Sequence, residues 1–169
     1  MSIKAVATPS GRTFPNIVRR GPERLVGIGF RCWIAGYKTG DIKSWEFAWD
    51  LYARELGACR ARVAVGELGC WVRKIQDVAG REIMTMPAEC AGFCRDECVA
   101  ISMIAASQHK VCPALKACAF ALIGCSEVES LMTATDQFAL TLNALNQRLD
   151  AASICSAAPF VSSPNATRH

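Results

Sequence analysis

Residues 126–149 read SEVESLMTATDQFALTLNALNQRL, and this stretch decides the fold class. Ser126, with Glu129 three residues on, has the spacing of a capping box, in which the two side chains satisfy otherwise orphan backbone amides at a helix start. Leu131, Phe138, Leu142, Leu145 and Leu149 then fall on one face of a helical repeat. The stretch therefore predicts one amphipathic helix whose apolar stripe must be buried against other helices.

The same punctuation continues towards the N-terminus. Cys112 and Pro113 suit a helix start and Gly124 a helix stop, which bounds a short helix ending at Ile123. Residues 109–111 make a turn, and residues 85–108 read as a helix that tolerates Pro87 in its first turn. Residues 58–78 form another, with Val63, Val65, Leu68, Trp71, Val72 and Ile75 as its apolar set and Gly80 after its end. Asp41 can cap a helix running to Gly57, with Ile42, Trp45, Trp49 and Tyr52 as its buried face. The last two can equally be one kinked rod. Residues 23–37, after Pro22, read as helix or as strand, because Gly27 and Gly29 weaken the helical reading.

With 169 residues, 51% hydrophobic and 20% charged, the chain has the length and composition of one domain with one core. The expected architecture is all-α: a bundle of about five helices over residues 22–150, an extended basic arm over residues 1–21 and a frayed tail over residues 151–169. No internal repeat and no strand pair with an Asn-Gly or Asp-Gly turn stands against this. Gly27-x-Gly29 meets Cys32 where a dinucleotide fingerprint needs a third glycine. The longest apolar runs, such as residues 117–123, fall far short of the roughly 20 residues a bilayer requires. No membrane span and a cytoplasmic, soluble protein are expected.

The net charge of +4 is uneven. Residues 1–40 hold seven basic groups (Lys4, Arg12, Arg19, Arg20, Arg24, Arg31 and Lys38) against Glu23 alone, while the rest of the chain is slightly acidic. Nucleic-acid binding is thus expected only through the arm, which also suits an acidic protein partner.

Ten cysteines are the compositional oddity. With no secretory signal and ample aliphatic residues for a core, they are expected to be reduced, either as small buried hydrophobes or as thiolate ligands. Cys90, Cys94 and Cys98 are spaced by four, so on a continuous helix each advances about 40° and the three share a quadrant. Cys118 and Cys125 would share a face too, as would Cys59 and Cys70. If the turn at residues 109–111 closes an antiparallel hairpin, residue i lies level with about residue 221 − i, and Cys125 falls between Cys94 and Cys98. Such a group suits copper(I), zinc or an iron–sulfur cluster, with Cys90 and Cys118 completing the candidate ligand set. A zinc site of Cys94, Cys98, His109 and Cys112 is disfavoured, because Cys98 and His109 would lie about 16 Å apart along an unbroken helix.

Cys112 at a helix start is the candidate reactive thiol for redox chemistry, with His109 three residues before it. The two histidines are His109 and the terminal His169, and no Glu-x-x-His motif occurs, so the sequence favours a noncatalytic protein. Two function classes follow. The first is a thiolate-based binder of a soft metal or cluster. The second is a helical adaptor or regulatory protein that meets a protein partner through its arm and an aromatic surface, with the cysteines as packing. Trp45 and Trp49 are expected to anchor the core, with a binding hot spot as the alternative, and Asp96 and Glu97 are expected on solvated helix surface.

Overall fold

The computed structural model describes residues 21–154, which contain six α-helices and no strand among the described residues. They are α1 (Gly21–Thr39), α2 (Ile42–Leu56), α3 (Ala58–Val78), α4 (Arg95–Gln108), α5 (Cys112–Ile123) and α6 (Val128–Ala144), followed by a 3-10 turn at Ala151–Ser153. The expected all-α bundle is what the chain forms. Most of the basic arm and the end of the tail lie outside the described residues.

The glycine-bearing segment resolves as helix α1, which answers the helix-or-strand question and raises the helix number to six. Its glycines serve packing. A Cβ at Gly29 would sit 2.7 Å from the Tyr52 hydroxyl, so the bare backbone lets α2 close on α1. There the Tyr52 hydroxyl donates to the Leu25 carbonyl at 2.8 Å. Helices α2 and α3 are separate, because Gly57 breaks the chain at φ 81° and ψ 154°.

Helix α4 runs through the middle of the bundle, packed on α1, α5 and α6, and residues 96–108 are buried without interruption. Helix α2 packs chiefly on α1 and α3 at the periphery. The core centres on Trp71 of α3, whose ring lies 5.8 Å from Phe30 of α1 and 5.3 Å from Phe138 of α6. Its indole N–H donates to the Thr135 hydroxyl at 3.0 Å, so the deepest aromatic also has its polar atom satisfied.

Three expectations are corrected. Helix α4 begins at Arg95, not near residue 85, and residues 79–94 form a connecting segment without helix. Helix α6 begins at Val128 and makes no side-chain cap through Ser126, so the capping box does not form. It ends at Ala144 because Asn146 takes a left-handed conformation at φ 59°, while Gln147 N–H reaches back to the Leu142 carbonyl at 2.8 Å. That is the Schellman stop, in which asparagine substitutes for the usual glycine. The same stop closes α4, with Lys110 at φ 59° and Val111 N–H on the Ala106 carbonyl at 2.9 Å.

The chain beyond α6 folds back on the bundle. Gln108 donates to the Gln147 carbonyl and accepts from Leu149 N–H, at 2.9 and 2.8 Å. Buried Glu23, in the first turn of α1, accepts from Asp150 N–H at 2.8 Å and from the Ser153 hydroxyl at 2.9 Å. No single described helix is long and apolar enough to cross a membrane.

Candidate functional site

The candidate thiols have separate surroundings. Because α4 starts at Arg95, Cys90 lies in the connecting segment, Cys94 is the N-cap of α4 and Cys98 is buried one turn inside it. The three do not share a continuous helix, so no stripe forms. The hairpin register holds closely at its middle, where the Ser102 hydroxyl and the Cys118 thiol lie 3.4 Å apart. Past Gly124, however, the chain turns away, and the Cys125 thiol donates to the Val78 carbonyl of α3 at 3.1 Å. Cys94 instead donates to the Met84 carbonyl at 3.2 Å. Burial raises the Cys94 thiol pKa, so in the absence of a cation this thiol stays protonated. Among the described residues no three Cys, His, Asp or Glu side chains converge as a metal ligand group, and no disulfide forms.

Cys112 is exposed at the start of α5. His109 turns elsewhere: its Nε2 donates to the Leu149 carbonyl at 2.8 Å, and Arg148 approaches its Nδ1 at 3.5 Å. A carbonyl only accepts, so that bond assigns the proton to Nε2. His109 thus helps to fasten the segment that follows α6. Cys59 and Cys70 are exposed on α3, and Cys32 is buried with its pKa pushed up to about 11 by desolvation, against the pull of Arg31.

The strongest polar constellation is one the sequence reading placed on the surface. Asp96 and Glu97 are buried, Glu97 completely. Glu97 takes Arg31 Nε at 2.7 Å and Nη2 at 3.0 Å, together with the backbone N–H groups of Met86 and Cys94, each at 2.9 Å. Arg31 also donates to the carbonyls of Cys90 and Gly92, at 2.8 and 2.6 Å, and lies 5.2 Å from the Phe93 ring centre. Burial alone would lower the Arg31 pKa, but the hydrogen bond and charge of Glu97, with lesser help from Cys90 and Cys32, leave it raised. Asp96 accepts twice from Arg81 and once from Met84 N–H, at 2.6, 3.0 and 2.8 Å. Both carboxylates therefore hold the 79–94 segment against the bundle. Both carboxylates are held by internal donors, so this is a structural clamp. Arg31 also leaves the basic surplus expected of the N-terminal region, because its charge is neutralised inside the core.

The remaining concentration of unusual chemistry lies on the outer edge formed by α1 and α2. The core-facing side of α2 is Ala48, Leu51 and Tyr52, not the expected Ile42–Trp45–Trp49–Tyr52 stripe. Small Ala48 lets the helix sit close, which turns Ile42 and Trp49 outward at 61% and 37% exposure. Trp45 lies 6.0 Å from Trp33 and 5.8 Å from Tyr37, both on α1. Its indole seats directly against Gly36, where a Cβ would overlap the ring, and its buried N–H has no hydrogen-bond partner. Trp33, Ile42, Trp45, Glu46, Trp49 and Asp50 line an open groove of about 600 Å³. Positions 42, 45, 46, 49 and 50 share one helical face, so an apolar floor carries two carboxylates one turn apart. Neither carboxylate has an ion-pair partner among the described residues.

No family model, curated protein or solved structure matches this chain.

Proposed function

We propose that the protein is a noncatalytic helical adaptor that docks a protein partner on the α1–α2 edge. The observation that carries this reading is the orientation of α2. It completes the core with Ala48, Leu51 and Tyr52 while leaving Ile42 and Trp49 turned outward on the face where Trp45 packs against exposed Tyr37 of α1, all three outward residues more than a third exposed. Clustered exposed aromatics mark interaction surfaces, and Trp and Tyr dominate binding energy where such surfaces are used. The internal polar groups supply no competing site, since the buried carboxylates and arginine satisfy one another. The thiol-ligand reading has weaker support, because the Cys94, Cys118 and Cys125 thiols each meet a different group, at Met84, Ser102 and Val78.

The test is affinity capture with the full chain, its Ile42→Ser/Trp49→Ala variant and a Leu140→Ser control on the far face of the bundle. A partner retained by the full chain and the control but lost from the variant supports the adaptor. A partner held equally by all three proteins overturns this edge as the surface. Elemental analysis of anaerobically purified protein separates the thiol reading: stoichiometric copper, zinc or iron that disappears in Cys94→Ser and Cys98→Ser would replace the adaptor proposal.

A further inference from the structure

The groove on the α1–α2 edge has a chemistry more specific than that of a general apolar surface. Trp33, Trp45 and Trp49 line it, and Glu46 and Asp50 stand one turn apart on the same helical face as Trp45 and Trp49. Aromatic faces attract cations through their quadrupole, and nearby carboxylates add a direct Coulombic attraction. A neutral apolar segment would gain from the indoles but would desolvate two carboxylates without pairing them. A cationic side chain with an aliphatic stem satisfies both halves at once, its methylenes on the indoles and its charge at the acids. Arginine suits this better than lysine, because its planar guanidinium both stacks on aromatic rings and bonds carboxylates in a forked geometry.

We infer that the groove takes an arginine-bearing, basic peptide segment of a partner protein. This rests on the adaptor reading of the same edge and names the occupant. Charge complementarity carries it: Glu46 and Asp50 are both exposed and unpaired within the described bundle, whereas the carboxylates of Asp96 and Glu97 are consumed by internal donors. The arm of this chain, with Lys4, Arg12, Arg19 and Arg20, is a competing source of the same cations, and the experiment separates the two.

The full chain is titrated with a capped Arg-Gly-Arg-Gly-Arg peptide and with its citrulline counterpart, which keeps the shape and removes the charge. Tryptophan fluorescence is the readout, supported by calorimetry. The expected result is saturable binding of the arginine peptide, at least tenfold tighter than the citrulline peptide. Glu46→Gln/Asp50→Asn should weaken it about tenfold or more. No binding by the full chain overturns the inference. If binding emerges only when Lys4, Arg12, Arg19 and Arg20 are changed to Gln, the arm is the occupant and the partner assignment falls. If Trp49→Ala abolishes binding while the double carboxylate variant binds normally, the cationic inference fails and the docking edge stands. If Trp49→Ala leaves binding unaltered, both fail together.

Discussion

Helices α4 and α2 each carry a pair of carboxylates, and the two pairs have opposite surroundings. On α4, Asp96 and Glu97 are adjacent in sequence, buried, and saturated by two arginines and by backbone amides. On α2, Glu46 and Asp50 are one turn apart, exposed, and unpaired within the described residues beside three indoles. A buried carboxylate must find its partners inside the fold, so the first pair reports on architecture. A surface carboxylate has no such obligation, and its place beside exposed aromatics points to something outside the chain.

The largest effect should come from breaking the buried pair. Glu97→Gln leaves Arg31 with an uncompensated buried charge and is expected to destabilise the fold by about 3–5 kcal/mol, read as a lower denaturation midpoint. An unchanged midpoint would mean that the clamp is not needed to hold the 79–94 segment.

Gly36→Ala acts on the other side of the comparison. The added methyl meets the Trp45 indole, so the ring must move, at about 1–3 kcal/mol if it follows ordinary core overpacking. The accompanying sign is a change in tryptophan emission and loss of peptide binding at the groove. Retained emission and binding would show that Trp45 does not shape the groove.

Alkali should weaken the interior and spare the groove. Burial pushes the Cys32 pKa from 9.0 up to about 11, so the unfolded chain releases its proton first, and stability contributed by the neutral thiol falls as pH rises through that window. Tyr52 is shifted upward by burial too and acts in the same direction. Urea midpoints across that range should decline, and Cys32→Ala should make the decline shallower. An identical slope in the variant would remove Cys32 as a contributor.

The smallest effect on stability belongs to the exposed pair. Glu46→Gln/Asp50→Asn should leave the unfolding free energy within about 0.5 kcal/mol, as surface substitutions usually do. A loss comparable to that of Glu97→Gln would place these acids in the architecture and erase the contrast.

Much of the helical punctuation was legible in the sequence. The start of α3 and both ends of α5 follow directly from Gly57, Pro113 and Gly124, since capping and proline preferences act over a single turn. The end of α6 was readable in Asn146, the residue that best replaces glycine in a left-handed stop, but the continuing leucine periodicity through Leu149 masked it. The start of α4 was misplaced because residues 85–93 owe their path to Arg31 and Glu97, which are 66 positions apart. Adjacent acids in a helix look like solvated surface until a distant arginine is known to face them. The groove was only half legible. Its tryptophans stood out, but their periodicity suits burial and exposure equally.

The sequence by itself determined the all-helical class, most helix ends and the residues from which any site must be drawn, because caps, stops and apolar periodicity are local physics. Tertiary structure decided which face of α2 meets the core, which carboxylates are consumed internally, and that α4 starts at Arg95, so Cys90, Cys94 and Cys98 share no continuous helix. Those outcomes depend on how closely helices approach and on partners brought together from far along the chain, and side-chain spacing within one helix carries no information about either.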